Sequence, residues 1–222
     1  MLINADFTRR AIVEPDHYNW IASPQPGVER VMLDRVGTEK ARATTIVRYA
    51  PDSAFPQHSH PQGEEILVLS GTFVEGDDSY PTGWYLRNPP GSFHQPSSAE
   101  GTVIFVKLNQ MQPKERDRVR IDTHNPAAWH QQGNREVCPL FSSTSEQICL
   151  QRLASQEALF TDPTDGAELL VLLGSIMLDG QSYERGSWIR LPAGDSMDIH
   201  AGTRGASIYL KTNHLLPIAA KV

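Results

Sequence analysis

Residues 58–73 read HSHPQGEEILVLSGTF, and the middle of this stretch returns later in the chain, where Glu65-Ile-Leu-Val-Leu-Ser-Gly71 is matched by Glu168-Leu-Leu-Val-Leu-Leu-Gly174. The separation is 103 residues, and at the same offset Gly83, Pro89 and Gly91 meet Gly186, Pro192 and Gly194, while Tyr80 meets Tyr183. Glycine and proline held in register fix backbone turns rather than surface chemistry, so the chain contains two copies of one turn-rich unit. A weaker match of Trp20 with Trp129 has each copy begin well before its motif. That puts the boundary in the charge-dense stretch 110–125 and gives units 1–112 and 113–222. The KERDR run in that stretch reads as a solvated connection.

Working outward, β-branched and aromatic runs at 44–49, 65–69, 83–87 and 102–108 are cut by Pro51-Asp52-Ser53, Gly76-Asp77-Asp78 and Asn88-Pro89-Pro90-Gly91. Short strands at this spacing predict an all-β sandwich or small barrel. Only brief segments such as 155–160 have helical periodicity. The composition agrees: 16 Gly and 16 Pro in 222 residues favour turns over a helical bundle, and 39% apolar with 21% charged residues excludes disorder over the whole length.

A net charge of −6 disfavours direct binding to a nucleic-acid backbone. No apolar run approaches the ~20 residues of a membrane span, and the first residues lack a secretory h-region, so a cytoplasmic setting is expected. Cys138 and Cys149 lack metal or redox spacing and read as reduced thiols without chemistry.

The chemistry concentrates in the first copy. His58 and His60 are two residues apart, which on a strand places both imidazoles on one face about 6.6 Å from each other. The Pro61-Gln62-Gly63 turn brings Glu64 back toward them, and His94, after the Pro89-Pro90-Gly91 turn, closes the set from a neighbouring strand. Three imidazoles and a carboxylate suit one borderline divalent ion per chain. Adding 103 to these positions gives Thr161, Pro163, Ala167 and Met197, so the second copy keeps the turns and loses every donor. Glu65 has a counterpart in Glu168 where no ligands remain, which assigns it a structural or rim role. His17, His124, His130, His200 and His214 stand alone in sequence and read as solvated or core residues. Tyr49, Gln62, Phe93 and Lys107 are candidates for the pocket lining around the ion.

His58-x-His60-x3-Glu64-x6-Gly71 and Gly83-x5-Pro89-x-Gly91-x2-His94 resemble the two cupin motifs, and with the repeat the chain resembles a bicupin. The texts HSHPQGEEILVLSGTF and YLRNPPGSFHQP are similar to the cupin domain of ChrR-like anti-sigma factors. Two departures, Asp52 for a usual Gly and Ser98 for a frequent Asn, bear on turn geometry. The resemblance implies two tandem double-stranded β-helix (jelly-roll) domains, a metal-binding cupin over 1–112 and a degenerate one over 113–222, with the ion in the barrel mouth. It implies zinc in preference to iron, manganese or nickel, and a regulatory or sensory role in oxidative stress with a protein partner in transcription regulation. The anti-sigma His/Cys cluster is absent from this sequence, so a direct grip on a sigma factor is not expected. A metal-dependent, dioxygenase-type oxidoreductase and a non-catalytic binder of a small-molecule ligand are the competing readings. Exposed sheet edges make a homodimer the expected assembly.

Overall fold

The computed structural model describes residues 1–38, 40–161, 164–195 and 198–215. Among these the regular structure is all strand, apart from single-turn 3-10 helices at Pro15–His17 and Pro126–Ala128. The chain divides into two compact units: Met1–Ala5 with Asn19–His124, and Asp6–Tyr18 with Asn125–Val222.

The strand candidates at 44–49, 65–69, 83–87 and 102–108 fall within Arg42–Tyr49, Glu64–Glu75, Trp84–Asn88 and Thr102–Leu108. In the first unit the main sheet runs Leu2–Ile3, Val28–Val36, Arg42–Tyr49, Thr102–Leu108, Glu64–Glu75, Trp84–Asn88, Val119–Asp122. The second unit repeats this order with His130–Gln132, Arg135–Ser142, Gln147–Leu153, Ile199–Thr212, Ala167–Leu178, Trp188–Leu191 and Ala11–Val13. The two central strands, Glu64–Glu75 and Ala167–Leu178, have the same sequence of buried, partly buried and exposed positions over all 12 residues. The repeated glycine within them has a steric cause. Gly71 and Gly174 both sit at φ +70°, where a Cβ would overlap the carbonyl oxygens of Gly101 and Gly205 respectively. The tryptophan match is equally concrete: Arg48 stacks over Trp20 at 4.1 Å and pairs with Glu29, while Arg152 stacks over Trp129 at 3.8 Å and pairs with Glu136.

Each unit has its own apolar centre. Ile66, Val68, Leu86, Ile104 and Val106 fill the first. Leu169, Val171, Ile189, Ile208 and Leu210 fill the second. On the opposite face of the central strands the fold buries charge. Glu65 lies between Arg87 and Lys107 on the adjacent strands, and Glu168 lies between Arg190 and Lys211 in the same register. All six residues are at most 3% exposed. Arg87 approaches Glu65 at 3.3 Å and Glu115 at 2.6 Å. Glu65 is therefore structural and internal, away from any rim.

Three expectations are corrected. Residues 110–125 are not only a solvated connection, because Val119–Asp122 pairs with Trp84–Asn88, placing Arg120 opposite Leu86. The equivalent strand of the first copy, Ala11–Val13, pairs with Trp188–Leu191, placing Ile12 opposite Ile189. One strand near the start of each copy thus completes the sheet of the other, so the compact units do not divide at residue 112: 6–18 belong to the second unit and 113–124 to the first. Residues 155–160 form turns and one isolated bridge, Ala158 to His200, in place of a helix. Cys138 and Cys149 are free thiols, and burial pushes both up to about 11, in keeping with inert side chains.

Candidate metal centre

Two short strands, His58–His60 and Ser92–His94, pair antiparallel to form a sheet of their own, with His94 opposite His58 and Ser92 opposite His60. A residue directly across and a residue two along the strand share one face. The three imidazoles therefore converge, and their ligand atoms lie within 4.8 Å of one another. This is the only such group of His, Cys, Asp or Glu among the described residues. The Pro61–Gly63 turn requires Gly63 at φ +77° and delivers Glu64 to the same point, with Oε2 3.5 Å from His60 Nε2 and 3.4 Å from His94 Nε2. The two Nε2 atoms are 2.9 Å apart.

These separations fit a shared ion. Donors bound at about 2.0–2.2 Å, at angles between right-angled and tetrahedral, lie about 2.9–3.5 Å from one another. The outer ring nitrogens are engaged so that the Nε2 atoms face inward: the Pro56 carbonyl holds His58 Nδ1 at 2.8 Å and Glu75 Oε1 holds His94 Nδ1 at 2.6 Å. His60, Glu64 and His94 are each 6% exposed, whereas His58 is half-buried.

Burial, with His94 and His58 beside it, depresses His60 to about 3, which keeps this imidazole neutral and available to ligate. Burial pushes the Glu64 carboxyl up to about 7. Burial works against charge on Glu75, but the His94 hydrogen bond and the Arg120 guanidinium outweigh it and hold that carboxylate down at about 2. Burial likewise opposes a proton on His94, and the Glu75 bond and the two carboxylates overcome it, raising its pKa. A site that favours positive charge on a ring nitrogen favours a cation in the same place.

Behind the donors stands a polar layer that the sequence reading did not find. Asn88 donates to Glu75 at 3.0 Å and to Glu64 at 3.3 Å, and accepts from Arg120 at 2.6 Å. Arg120 and Arg118 reach Glu75 Oε2 at 2.5 and 3.0 Å. The offset of 103 already carried the signal: the counterparts of Glu75 and Asn88 are Leu178 and Leu191, and strand pairing sets Arg120 against Ile12. Ala167, Leu178 and Leu191 are at most 1% exposed, so the second unit fills with hydrocarbon the space that the first gives to its polar cluster. Thr161 is exposed, and Pro163 and Met197 lie outside the described residues.

The pocket candidates separate. Tyr49 is buried against Phe73 and Phe55, with Glu64 close enough to help burial raise its pKa. Gln62 is exposed, and Phe93 is 69% exposed on an open cavity with Gln57 and Arg118. Lys107 is corrected: it is buried beside Glu65 on the face away from the imidazoles, donating to Thr44 Oγ1 at 2.9 Å. Of the remaining histidines, His214 is in the core within 3.2 Å of Glu168.

Glu75→Gln keeps the shape of the side chain but removes the charge that fixes the His94 ring. Loss of such an orienting carboxylate costs on the order of 10–100-fold in metal affinity. Zinc titration against a competing chelator is expected to show that loss with the stoichiometry unchanged. An affinity equal to that of the parent chain would mean that Glu75 does not orient His94 for the ion.

Two units are built on the same strand order, and one of them carries a three-histidine cluster. Residues 8–112 match the family model described as the ChrR Cupin-like domain. Among solved structures, a provisionally assigned dioxygenase of Nostoc punctiforme is similar with a TM-score of 0.76 and 14% identity, over 91% of this chain and 82% of that one. The nickel(II) complex of the pirin YhhW from Escherichia coli gives 0.68 and 11%, over 92% and 98%. Salicylate 1,2-dioxygenase from Pseudaminobacter salicylatoxidans gives 0.62 and 11%, over 97% and 87%. No curated protein matches the sequence. At these identities the likeness is one of fold. No helix is long and apolar enough to cross a membrane among the described residues.

Proposed function

We propose that this protein is a ChrR-like bicupin whose first unit holds one divalent ion, zinc by preference, through His58, His60, Glu64 and His94, and uses that site to sense or bind a small molecule or oxidant. The observation that carries the reading is the convergence of His60, Glu64 and His94 at 2.9–3.5 Å with His58 in the same cluster, and with His58 and His94 each oriented from behind. The match of residues 8–112 to the ChrR Cupin-like domain supports the sensory role, a cytoplasmic setting and a protein partner in transcription regulation. Homodimerisation through exposed sheet edges belongs to the same proposal. The second unit, with Ala167, Leu178 and Leu191 in place of polar groups, is a metal-free companion.

A second reading is a dioxygenase-type enzyme. The half-buried His58 lines a cavity of about 630 Å³, room enough for an organic substrate beside the ion. In that reading a redox metal would supply oxygen chemistry, and this chain's residues would bind, orient and shield the substrate.

Elemental analysis of protein purified without added metal is expected to give one equivalent of a divalent ion per chain, mainly zinc. Two equivalents, or none, would overturn the single-site assignment. Iron-loaded and zinc-loaded samples are then compared for O2 consumption with phenolic, thiol and enediol compounds. The sensory reading expects no turnover from either form and a change in metal content or ligand exposure on oxidant challenge. Turnover on the order of 1 per second or faster by the iron form would establish the enzyme instead.

A further inference from the structure

We infer that the mouth of the first barrel binds a small apolar carboxylate, gripped by Arg30 and Arg35 and laid against Met32 and Phe55. This deepens the reading of the first unit as a ligand-binding metal cupin, and rests on that reading for the role of the neighbouring imidazoles.

The strand Val28–Val36 pairs with Arg42–Tyr49 so that Val28 faces Tyr49, Arg30 faces Val47 and Met32 faces Thr45. Val28 and Tyr49 belong to the barrel core and Val47 packs on it, so the alternation of the strand carries Arg30 and Met32 to the inner side. A bulge between Met32 and Asp34 shifts that alternation by one residue and places Arg35 on the same side, opposite Ala43. Arg30, Met32 and Arg35 line one cavity of about 630 Å³ together with Phe55, Pro56 and His58. The Phe55 and His58 rings are 5.3 Å apart, which connects this cavity directly to the imidazole cluster.

Two guanidinium groups therefore share a space whose lining, among the described residues, includes no carboxylate. Their Nε atoms are buried without a hydrogen-bond partner. The Arg30 side chain makes no hydrogen bond or ion pair among the described residues, and Arg35 bonds through Nη2 to the Thr38 carbonyl. Two other cations held inside this unit are matched by acids: Arg87 by Glu65 and Glu115, and Arg120 by Glu75. Burial and the charge of Arg30 both lower the Arg35 pKa, the expected result for like charges left uncompensated. A guanidinium fork matches the two oxygens of a carboxylate, so an incoming acid supplies the missing charge and the missing acceptors together. The apolar remainder of the wall, Met32, Phe55 and Pro56, selects an acid with a hydrocarbon or aromatic body.

The test uses the zinc-loaded full chain, titrated calorimetrically with benzoate, hexanoate, benzamide and inorganic phosphate. Benzoate or hexanoate is expected to bind, with benzamide and phosphate weaker by tenfold or more. Arg30→Gln and Arg35→Gln should each weaken the carboxylate on the order of tenfold or more, and Arg30→Lys, which keeps charge without the fork, should fall between. The inference is overturned if neither acid binds, if benzamide or phosphate binds as tightly, or if both Gln variants bind like the parent. Zinc content is measured on the same samples. Full zinc without carboxylate binding sinks this inference alone, and arginine-dependent benzoate binding by a chain that takes up no zinc sinks the metal assignment alone.

Discussion

Replacing His60 and His94 together with alanine is expected to abolish stoichiometric metal binding, with a loss of at least about a thousandfold in apparent zinc affinity. A four-donor protein zinc site is worth about 10–16 kcal/mol near neutral pH, so removing half the donors removes several kcal/mol, at about 1.4 kcal/mol per factor of ten. The two imidazoles are nearly buried, with Nε2 atoms 2.9 Å apart, and no other His, Cys, Asp or Glu cluster among the described residues can take their place. Thr161→Ala, at the second copy's counterpart of His58, should leave zinc content unchanged. Metal retained by the double variant would refute the ligand set. In the parent chain protons compete for the same donors. Glu64, up to about 7, and His94, raised above its ordinary value, take up protons first as pH falls, so affinity should decline from pH 7 toward pH 5. Affinity that rises over that interval would contradict the assignment.

Glu65→Ala is expected to destabilise the first unit by about 3–5 kcal/mol, the usual cost of removing one partner from a buried charge group. The size follows from what stays behind. Arg87 is fully buried 3.3 Å from the lost carboxylate, and Lys107, 1% exposed, sits opposite the same position on the next strand. Glu115 remains beside Arg87, but two buried cations then share one acid fewer. Urea denaturation followed by tryptophan fluorescence reads the change. Glu168→Ala, between Arg190 and Lys211, should destabilise the second unit by a similar amount. A loss below about 0.5 kcal/mol, the range of ordinary surface substitutions, would show that Glu65 carries no structural charge pairing.

The repeat explains why so much of the fold was legible. Gly71 and Gly174 mark backbone contacts that admit no Cβ, and strand alternation on either side of them allows little freedom in which residues face inward. The donors were legible for a related reason. His58 and His60 are local in sequence, Glu64 follows one turn, and His94 arrives after a turn whose Pro and Gly fix its approach.

The polar layer behind the donors was less visible, because Glu75, Asn88 and Arg120 are spread over three strands and follow no local spacing. Comparison of the two copies exposes them as polar residues set against Leu178, Leu191 and Ile12. Lys107 misled because its strand borders the central one, and only the register shows it on the face of Glu65 rather than that of Glu64.

The sequence by itself determined that the chain is all-β, built twice on one pattern, with histidines that could hold a metal ion in its first copy. Those facts rest on turn residues and short spacings, which act through local backbone geometry. Only the tertiary structure decided that Ala11–Val13 and Val119–Asp122 each complete the sheet of the other copy, that Arg118 and Arg120 from beyond residue 112 brace Glu75, and that Arg30 and Arg35 face one cavity. Pairing between distant strands and a one-residue bulge set those placements, and neither leaves a periodic mark along the chain.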